Sequence, residues 1–500
     1  MDEQKENPAK EKFNSFVEKA MPVLKDKRVW MAVGAVVLLI ILISVISSLI
    51  GSDNGYIQYE NMLLPLENGD ETVFVSNAKQ LKLNMTAEVK DYSFTMDGKY
   101  YAIEDSDGVL YVLNGKKLTK VAEDVKDCTL AVTGKGLLYT VDNDDKTELY
   151  HYTVGGKSVL VSDEAIQWII SPDGKTAAYT TYEDEKTNVY YFDGKKSEKI
   201  SSTYTTLLAM NNGGKYIYGI VYDDDDAFNP TKNLVSLNKK GEKTKIASEL
   251  SSTTVYLNYE HTQILFYEDN KTYVSEKAKD AVKISSREII PVLIGNSIYN
   301  YGSGDSIHTA PMENLFDHVY TDGDGVWLIK KNTDKSAKLV SKASNLALDS
   351  TASYLYYVYD NEELRVVKIK DGENASDNAV TIVDDYVSTY AVTSNRSLVY
   401  YISDNELHSV NGKNGKNDKT VSKDDVEKYY LYVSSKNVAY YIMDGDLYAC
   451  SNGKKSTKVL TDCDYVFKIG NAVYAYSDGY IYGTSGSKKL NKITEIDDVD

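Results

Sequence analysis

"WIISPDGKTAAYTTYEDEKTNVYYFDGKKSEKI", residues 168–200, decides how the rest of the chain is read. Apolar Trp168, Ile169 and Ile170 run into the polar turn Ser171-Pro172-Asp173-Gly174, and an alternating strand follows. After a second polar stretch comes the short strand at Asn188–Phe192, and Asp193-Gly194 closes it. Runs of four to eight residues rich in Val, Ile, Thr and Tyr, punctuated by Asp, Asn and Gly, are hairpin signals. Such a unit of about 40 residues holds about four short strands, and it cannot bury both of its own faces.

The closing hairpin is written again along the chain. It appears as VLYVLNGKK (109–117), ELYHYTVGGK (148–157) and NLVSLNKKGEK (233–243). It returns as ELRVVKIKDG (363–372), ELHSVNGKN (406–414), DLYACSNGKK (446–455) and YIYGTSGSKK (480–489). Turn glycines are expected at Gly115, Gly156, Gly194, Gly241, Gly372, Gly412, Gly453 and Gly486, where the backbone turns left-handed. The opening strands repeat too, as YSFTMDGKYYAI (92–103), LLAMNNGGKYIYGI (207–220), AVTSNRSLVYYI (391–402) and LYVSSKNVAYYI (431–442). Residues 255–342 keep the strands but lose the neat turns. About ten units fit between Tyr56 and Asp500. Stacking four-stranded units around an axis buries their faces, so the expected fold is all-β: a β-propeller of four-stranded antiparallel blades. Propellers typically have about 4–8 blades. Counting leaves one large propeller or two smaller ones, divided near residue 286.

The stretch Trp168–Thr180, followed by the Asn188–Phe192 strand, resembles the repeat of TolB-type propellers, in which a Ser-Pro-Asp-Gly-Lys turn precedes a strand. Ser171, Pro172, Asp173, Gly174 and Lys175 match that turn fully, and the other units match it in hydrophobic pattern. The Leu-Tyr strands are also similar to the YWTD-type propellers of lipoprotein receptors, although no Tyr-Trp-Thr-Asp occurs. The resemblance implies a propeller used for binding or scaffolding, and no particular ligand.

Composition narrows the function. The formal net charge is −18, and only four arginines occur: Arg28, Arg287, Arg365 and Arg396. An acidic surface poor in arginine repels phosphate backbones, so nucleic acid is not expected as a partner. Tyrosine stands at 43 against 9 Phe and 3 Trp. Tyrosine suits strands with one wet and one dry face. The pairs Tyr100-Tyr101, Tyr400-Tyr401 and Tyr440-Tyr441 are expected to place one ring in the core and the other between blades or at the surface.

Residues 29–50, VWMAVGAVVLLIILISVISSLI, carry no charge over 22 positions. About 20 apolar residues cross a bilayer, so a single membrane-spanning helix is expected there. Lys25, Lys27 and Arg28 precede it and acidic residues follow, which orients the N-terminus inside and the bulk of the chain outside. Residues 1–28 form a short tail whose Phe13, Phe16, Val17, Ala20, Met21 and Leu24 fall on one helical face, and residues 51–500 form the extracytoplasmic region.

Catalytic signatures are sparse. No GxSxG elbow occurs, and His151, His261, His308, His318 and His408 show no metal spacing. Asp105-Ser106-Asp107, Asp322-Gly323-Asp324 and Asp444-Gly445-Asp446 look like fragments of calcium loops without the distant glutamate, and Asp-Gly is also a hairpin turn. Asp223, Asp224, Asp225 and Asp226 crowd one loop and repel unless a cation neutralises them, which makes them the candidate Ca2+ ligands. Otherwise no cofactor is expected. Cys450 and Cys463 share one unit and are close enough in sequence to pair. These readings converge on a non-catalytic, membrane-anchored binding protein of a bacterial cell envelope. It would display a propeller outside the cell to an envelope protein or a cell-wall polymer. An envelope glycan hydrolase or lyase using other carboxylates, and a transmembrane sensor, are the alternatives.

Overall fold

The computed structural model describes residues 64–495, except 69–70, 77, 82, 84, 86, 144–145, 204, 224–230, 294–298, 301–306, 332–335, 424, 435, 470–471 and 487. The expected tail and apolar span, residues 1–50, lie outside the described residues. Among the described residues no helix is long and apolar enough to cross a membrane. Gly55–Asp500 forms one compact unit.

The described residues build nine four-stranded sheets, one six-stranded sheet and one three-stranded sheet. Residues 168–200 fold as read: the strands Gln167–Ile170, Ala177–Glu183, Lys186–Phe192 and Ser197–Ser201 pair antiparallel in chain order. The same order recurs, and we number the repeating sheets as blades 1 (89–122), 2 (125–162), 3 (167–201), 4 (206–247) and 5 (255–285). Blades 6 (290–340), 7 (343–383), 8 (389–422), 9 (426–460) and 10 (463–495) follow. This is a β-propeller-like repeat architecture.

Turn chemistry sets each hairpin. Between the second and third strands both central residues take positive φ: Asp269 and Asn270 at 51° and 55°, Asp404 and Asn405 at 48° and 62°, Asp444 and Gly445 at 52° and 73°. Asp, Asn and Gly tolerate that conformation, and the resulting turn matches the twist of the flanking strands. Gly156 and Gly412 depart from expectation. The left-handed residues there are Gly155 (φ +84°) and Gly415 (φ +66°), so those turns fall one and three residues away.

Blades hold together face to face. The second strand of a blade lies between both neighbours, and Val438–Met443 is buried along its whole length. Tyr400 and Ile402 therefore join the cluster shared with blade 9, with Leu431, Ala439 and Tyr441. Tyr401 joins the cluster shared with blade 7, with Tyr356, Leu364 and Val366. Both members of each tyrosine pair are buried, Tyr100-Tyr101 and Tyr440-Tyr441 included. Of the two places expected for the second ring, it takes the one between blades, because each face of a middle strand meets a neighbouring blade. The tyrosines also stack within blades, from second strand to third. Ring centroids lie 5.2 Å apart for Tyr139 and Tyr150, 5.1 Å for Tyr179 and Tyr190, and 5.8 Å for Tyr441 and Tyr448. That recurrent slot uses six of the 43 tyrosines.

The irregular middle has a topological cause. After blade 5 the chain places Ile290–Pro291 in blade 6, then returns so that Ile307–Ala310 pairs parallel with Val255–Asn258 of blade 5. One hydrophobic cluster runs across residue 286, from Tyr256 and Leu265 to Met312, Leu315 and Tyr320. At the other end the three-stranded sheet of residues 64–81 meets blade 10. Ala78 N donates to Tyr474 Oη at 3.2 Å and packs with Ala472, Tyr476 and Ile481.

Candidate binding surface

The turn between the first and second strands carries a shared device in blades 1, 3, 4, 7, 8 and 9. Its first residue is buried and accepts hydrogen bonds from the far side of the turn. Thr95 Oγ1 accepts from Lys99 N (3.2 Å) and Tyr100 N (3.1 Å), and Ser171 Oγ from Thr176 N (3.1 Å). Asn211 Oδ1 accepts from Tyr216 N (2.7 Å), and Asp349 Oδ1 from Ser353 N and Tyr354 N (both 2.8 Å). Thr393 and Ser434 do the same for Leu398 N (3.0 Å) and Val438 N (3.2 Å). Short polar side chains that bond nearby backbone are the residues that stabilise such turns.

These turns are also bonded one to the next. Met96 N donates to Val132 O (2.7 Å), Thr133 N to Pro172 O (2.9 Å), and Asp173 N to Asn212 Oδ1 (2.9 Å), which links blades 1 to 4. Ser350 Oγ donates to Ser394 O (3.2 Å), and Ser394 N to Asn437 Oδ1 (3.1 Å), which links blades 7 to 9. Between blades 4 and 5 the link is His261. Its Nδ1 donates to Met210 O at 3.1 Å, since a carbonyl only accepts, and its Nε2 accepts from Thr309 Oγ1 at 3.0 Å. Burial pushes its pKa down to about 4, so the ring is neutral near pH 7. The turn end thus carries a fixed row of backbone from which exposed Lys175, Asn212, Lys215 and Ser394 project.

The residues singled out from sequence fall in different places. Asp223 ends the strand Ile217–Asp223, while Asp224, Asp225 and Asp226 lie outside the described residues, so the candidate Ca2+ loop stays an expectation. The three acidic fragments build turns. Asp105 Oδ1 accepts from Asp107 N (3.1 Å) and Val109 N (2.7 Å), while Oδ2 is buried with no hydrogen-bond partner. Asp322 accepts from Gly325 N at 2.8 Å and pairs with Arg287 Nη1 at 2.7 Å. Asp446 pairs with Lys458. Among the described residues no group of three or more His, Cys, Asp and Glu is placed to hold a metal ion. Arg365 pairs with Glu363 inside blade 7, and Arg396 of blade 8 lies over the Tyr354 ring of blade 7, so these arginines serve packing within and between blades. Cys450 and Cys463 are separate buried thiols, Cys450 Sγ 2.8 Å from Lys454 O and Cys463 Sγ 3.5 Å from Tyr465 O.

The fourth strands are blade edges, and they too repeat. Opposite one third-strand residue stands a lysine: Lys120 facing Tyr111, Lys199 facing Tyr190, Lys245 facing Val235 and Lys283 facing Tyr273. Lys338 faces Trp327, Lys458 faces Tyr448 and Lys492 faces Tyr482. In blades 7 and 8 the cationic or titratable residue sits on the third strand instead, as Arg365 and His408, and threonines 381 and 420 stand opposite. Neither the turn caps nor this edge ladder was singled out from the sequence, although most of the caps lie in the repeated opening strands and most of the edge lysines follow shortly after the closing hairpins.

Fold and surface define a class, the β-propeller-like repeat proteins. No protein family and no curated protein sequence matches the chain. Among solved structures it is similar to tricorn protease at 11% identity and TM-score 0.30, over 87% of this chain, and it spans 58% of that chain. It is similar to TolB from Acinetobacter baumannii at 12% identity and TM-score 0.29, over 47% of this chain and 65% of that one. A eukaryotic initiation factor aligns at 9% identity and TM-score 0.36, over 80% of this chain and 97% of that one. At these scores the likenesses carry no argument about activity.

Proposed function

We propose that this chain is a non-catalytic scaffold. Residues 29–50 tether it to a membrane, and its blade array is presented outside the cell to an envelope protein or a cell-wall polymer. The observation that carries the reading is the row of first-to-second-strand turns, capped by their own side chains and bonded blade to blade. Such a surface is ordered before a partner arrives, so little freedom is lost on binding. Its exposed groups, Lys175 and Lys215 among them, are placed by rigid elements rather than by loose loops. The acidity of the chain favours a partner that is not a polyanion.

The test is saturable binding to the full chain, held in detergent on a sensor, with solubilised envelope proteins and wall fragments applied separately. Reversing charge at the turn end, Lys175→Glu with Lys215→Glu, should weaken binding about tenfold, roughly 1.4 kcal/mol. A folded chain that binds neither class, or that turns over a glycan, overturns the reading.

A further inference from the structure

An unpaired sheet edge recruits another strand unless something blunts it, and lysine is a common blunting residue. Seven blades of this chain carry that lysine on the fourth strand, and blades 7 and 8 carry Arg365 or His408 beside it. Blade 2 is the exception. Opposite Tyr150 stands Leu160. The strand Val159–Ser162 has no charge and pairs only with Lys146–Thr153, and Val159 and Leu160 are 39% and 49% exposed.

The sequence around that edge is Lys157-Ser158-Val159-Leu160-Val161-Ser162-Asp163. It reads alike from both ends, except that its terminal charges are opposite. Set antiparallel against itself about Leu160, it places leucine on leucine, Val159 on Val161, Ser158 on Ser162 and Lys157 on Asp163. A two-fold contact must be self-complementary, since residue i meets j and j meets i. We propose that the edge of blade 2 joins two copies of this chain by antiparallel strand pairing about a two-fold axis at Leu160. A chain of net charge −18 otherwise repels its copy, and this edge is where opposite charges would face each other.

Two details set the strength of the contact. Asp163 is 3.4 Å from Lys146, whose nearer partner is Glu164 at 2.8 Å, and such exposed pairs exchange at little cost. Val161 is the bulged residue, and its carbonyl already accepts from Tyr179 Oη (3.3 Å) and Ser197 Oγ (3.1 Å) of blade 3. The backbone ladder is therefore short, and Leu160 and Val159 contribute most of the apolar contact. Interfaces below about 1,200 Å² are weak and reversible, so a micromolar dimer is expected.

Sedimentation of the full chain in detergent from about 1 to 100 μM should show reversible dimerisation. Leu160→Lys, which restores the lysine of the other blades, should stay monomeric with an unchanged melting temperature. Lys157→Asp should weaken association, and adding Asp163→Lys should restore it. Leu160→Cys should oxidise to a covalent dimer, because facing residues of antiparallel strands lie within disulfide reach. Thr381→Cys on the edge of blade 7 should not. A monomer throughout, a Leu160→Lys variant that dimerises like the parent, or equal cross-linking at position 381 overturns the proposal. The result is independent of what the turn end binds.

Discussion

Three glycine substitutions separate two ways in which the blade turns are held. Gly174 has φ +71°, and a Cβ there would stand 2.6 Å from Gly136 Cα and 2.9 Å from Ala131 Cβ. A Cβ on Gly136, whose φ is not left-handed, would run into the backbone carbonyl oxygen of Gly174 and stand 2.8 Å from Gly174 Cα. Gly115 has φ +62° and nothing within 4 Å. Gly115→Ala therefore costs backbone strain alone, about 1–2 kcal/mol. Gly136→Ala costs overpacking between blades 2 and 3 alone, about 1–3 kcal/mol. Gly174→Ala costs both, roughly 2–5 kcal/mol if the two add. Urea midpoints measure the losses. A repeat array does not have to unfold all at once, so local opening should be followed as well, by hydrogen exchange at the Thr176 and Ser171 amides. These amides bond within the turn, Thr176 N to Ser171 Oγ and Ser171 N to Thr176 O. If Gly136→Ala costs less than about 0.5 kcal/mol, or Gly115→Ala costs as much as Gly174→Ala, the blade-to-blade packing argument fails.

Ser171→Ala removes the acceptor for Thr176 N and should lower stability by about 1 kcal/mol with an unchanged urea slope. Burial holds both His261 and His318 down at about 4, against 6.5 when exposed. Their neutral forms thus support folding fully above pH 6.5. That support is lost as pH falls toward 4, by up to about 3 kcal/mol for each. Melting temperatures from pH 7 to 4 should show it, and His261→Gln should flatten the slope; a parallel curve would refute the assignment. Burial raises the thiol pKa of Cys450, and that of Cys463 to about 12, so a thiol reagent should label neither in the folded chain at pH 8. Dithiothreitol should leave the melting temperature unchanged, and a drop would reveal a Cys450–Cys463 bond.

The sequence by itself determined the blades. Strand alternation and the Asp-Gly or Asp-Asn turns are local properties, set by a period of two and by which residues accept positive φ, so they are legible without knowing the neighbours. The stretch 168–200 folds as written for that reason. Tertiary structure decided the rest. Tyr400 and Tyr401 are both buried because a blade has a neighbour on each face, and no strand pattern says how many faces are covered. Thr95, Ser171, Asn211, Asp349, Thr393 and Ser434 differ in chemistry yet hold one position, and only the folded turn shows that each caps it. Gly136 needs its missing Cβ because Gly174, 38 positions along the chain, packs against it. Leu160 is unusual only against the lysines that other blades place at the same register, a comparison that exists once the strands are paired. The physical reason is shared: hairpins form from neighbours in sequence, whereas burial, caps between turns and exposed edges depend on which blade stacks on which.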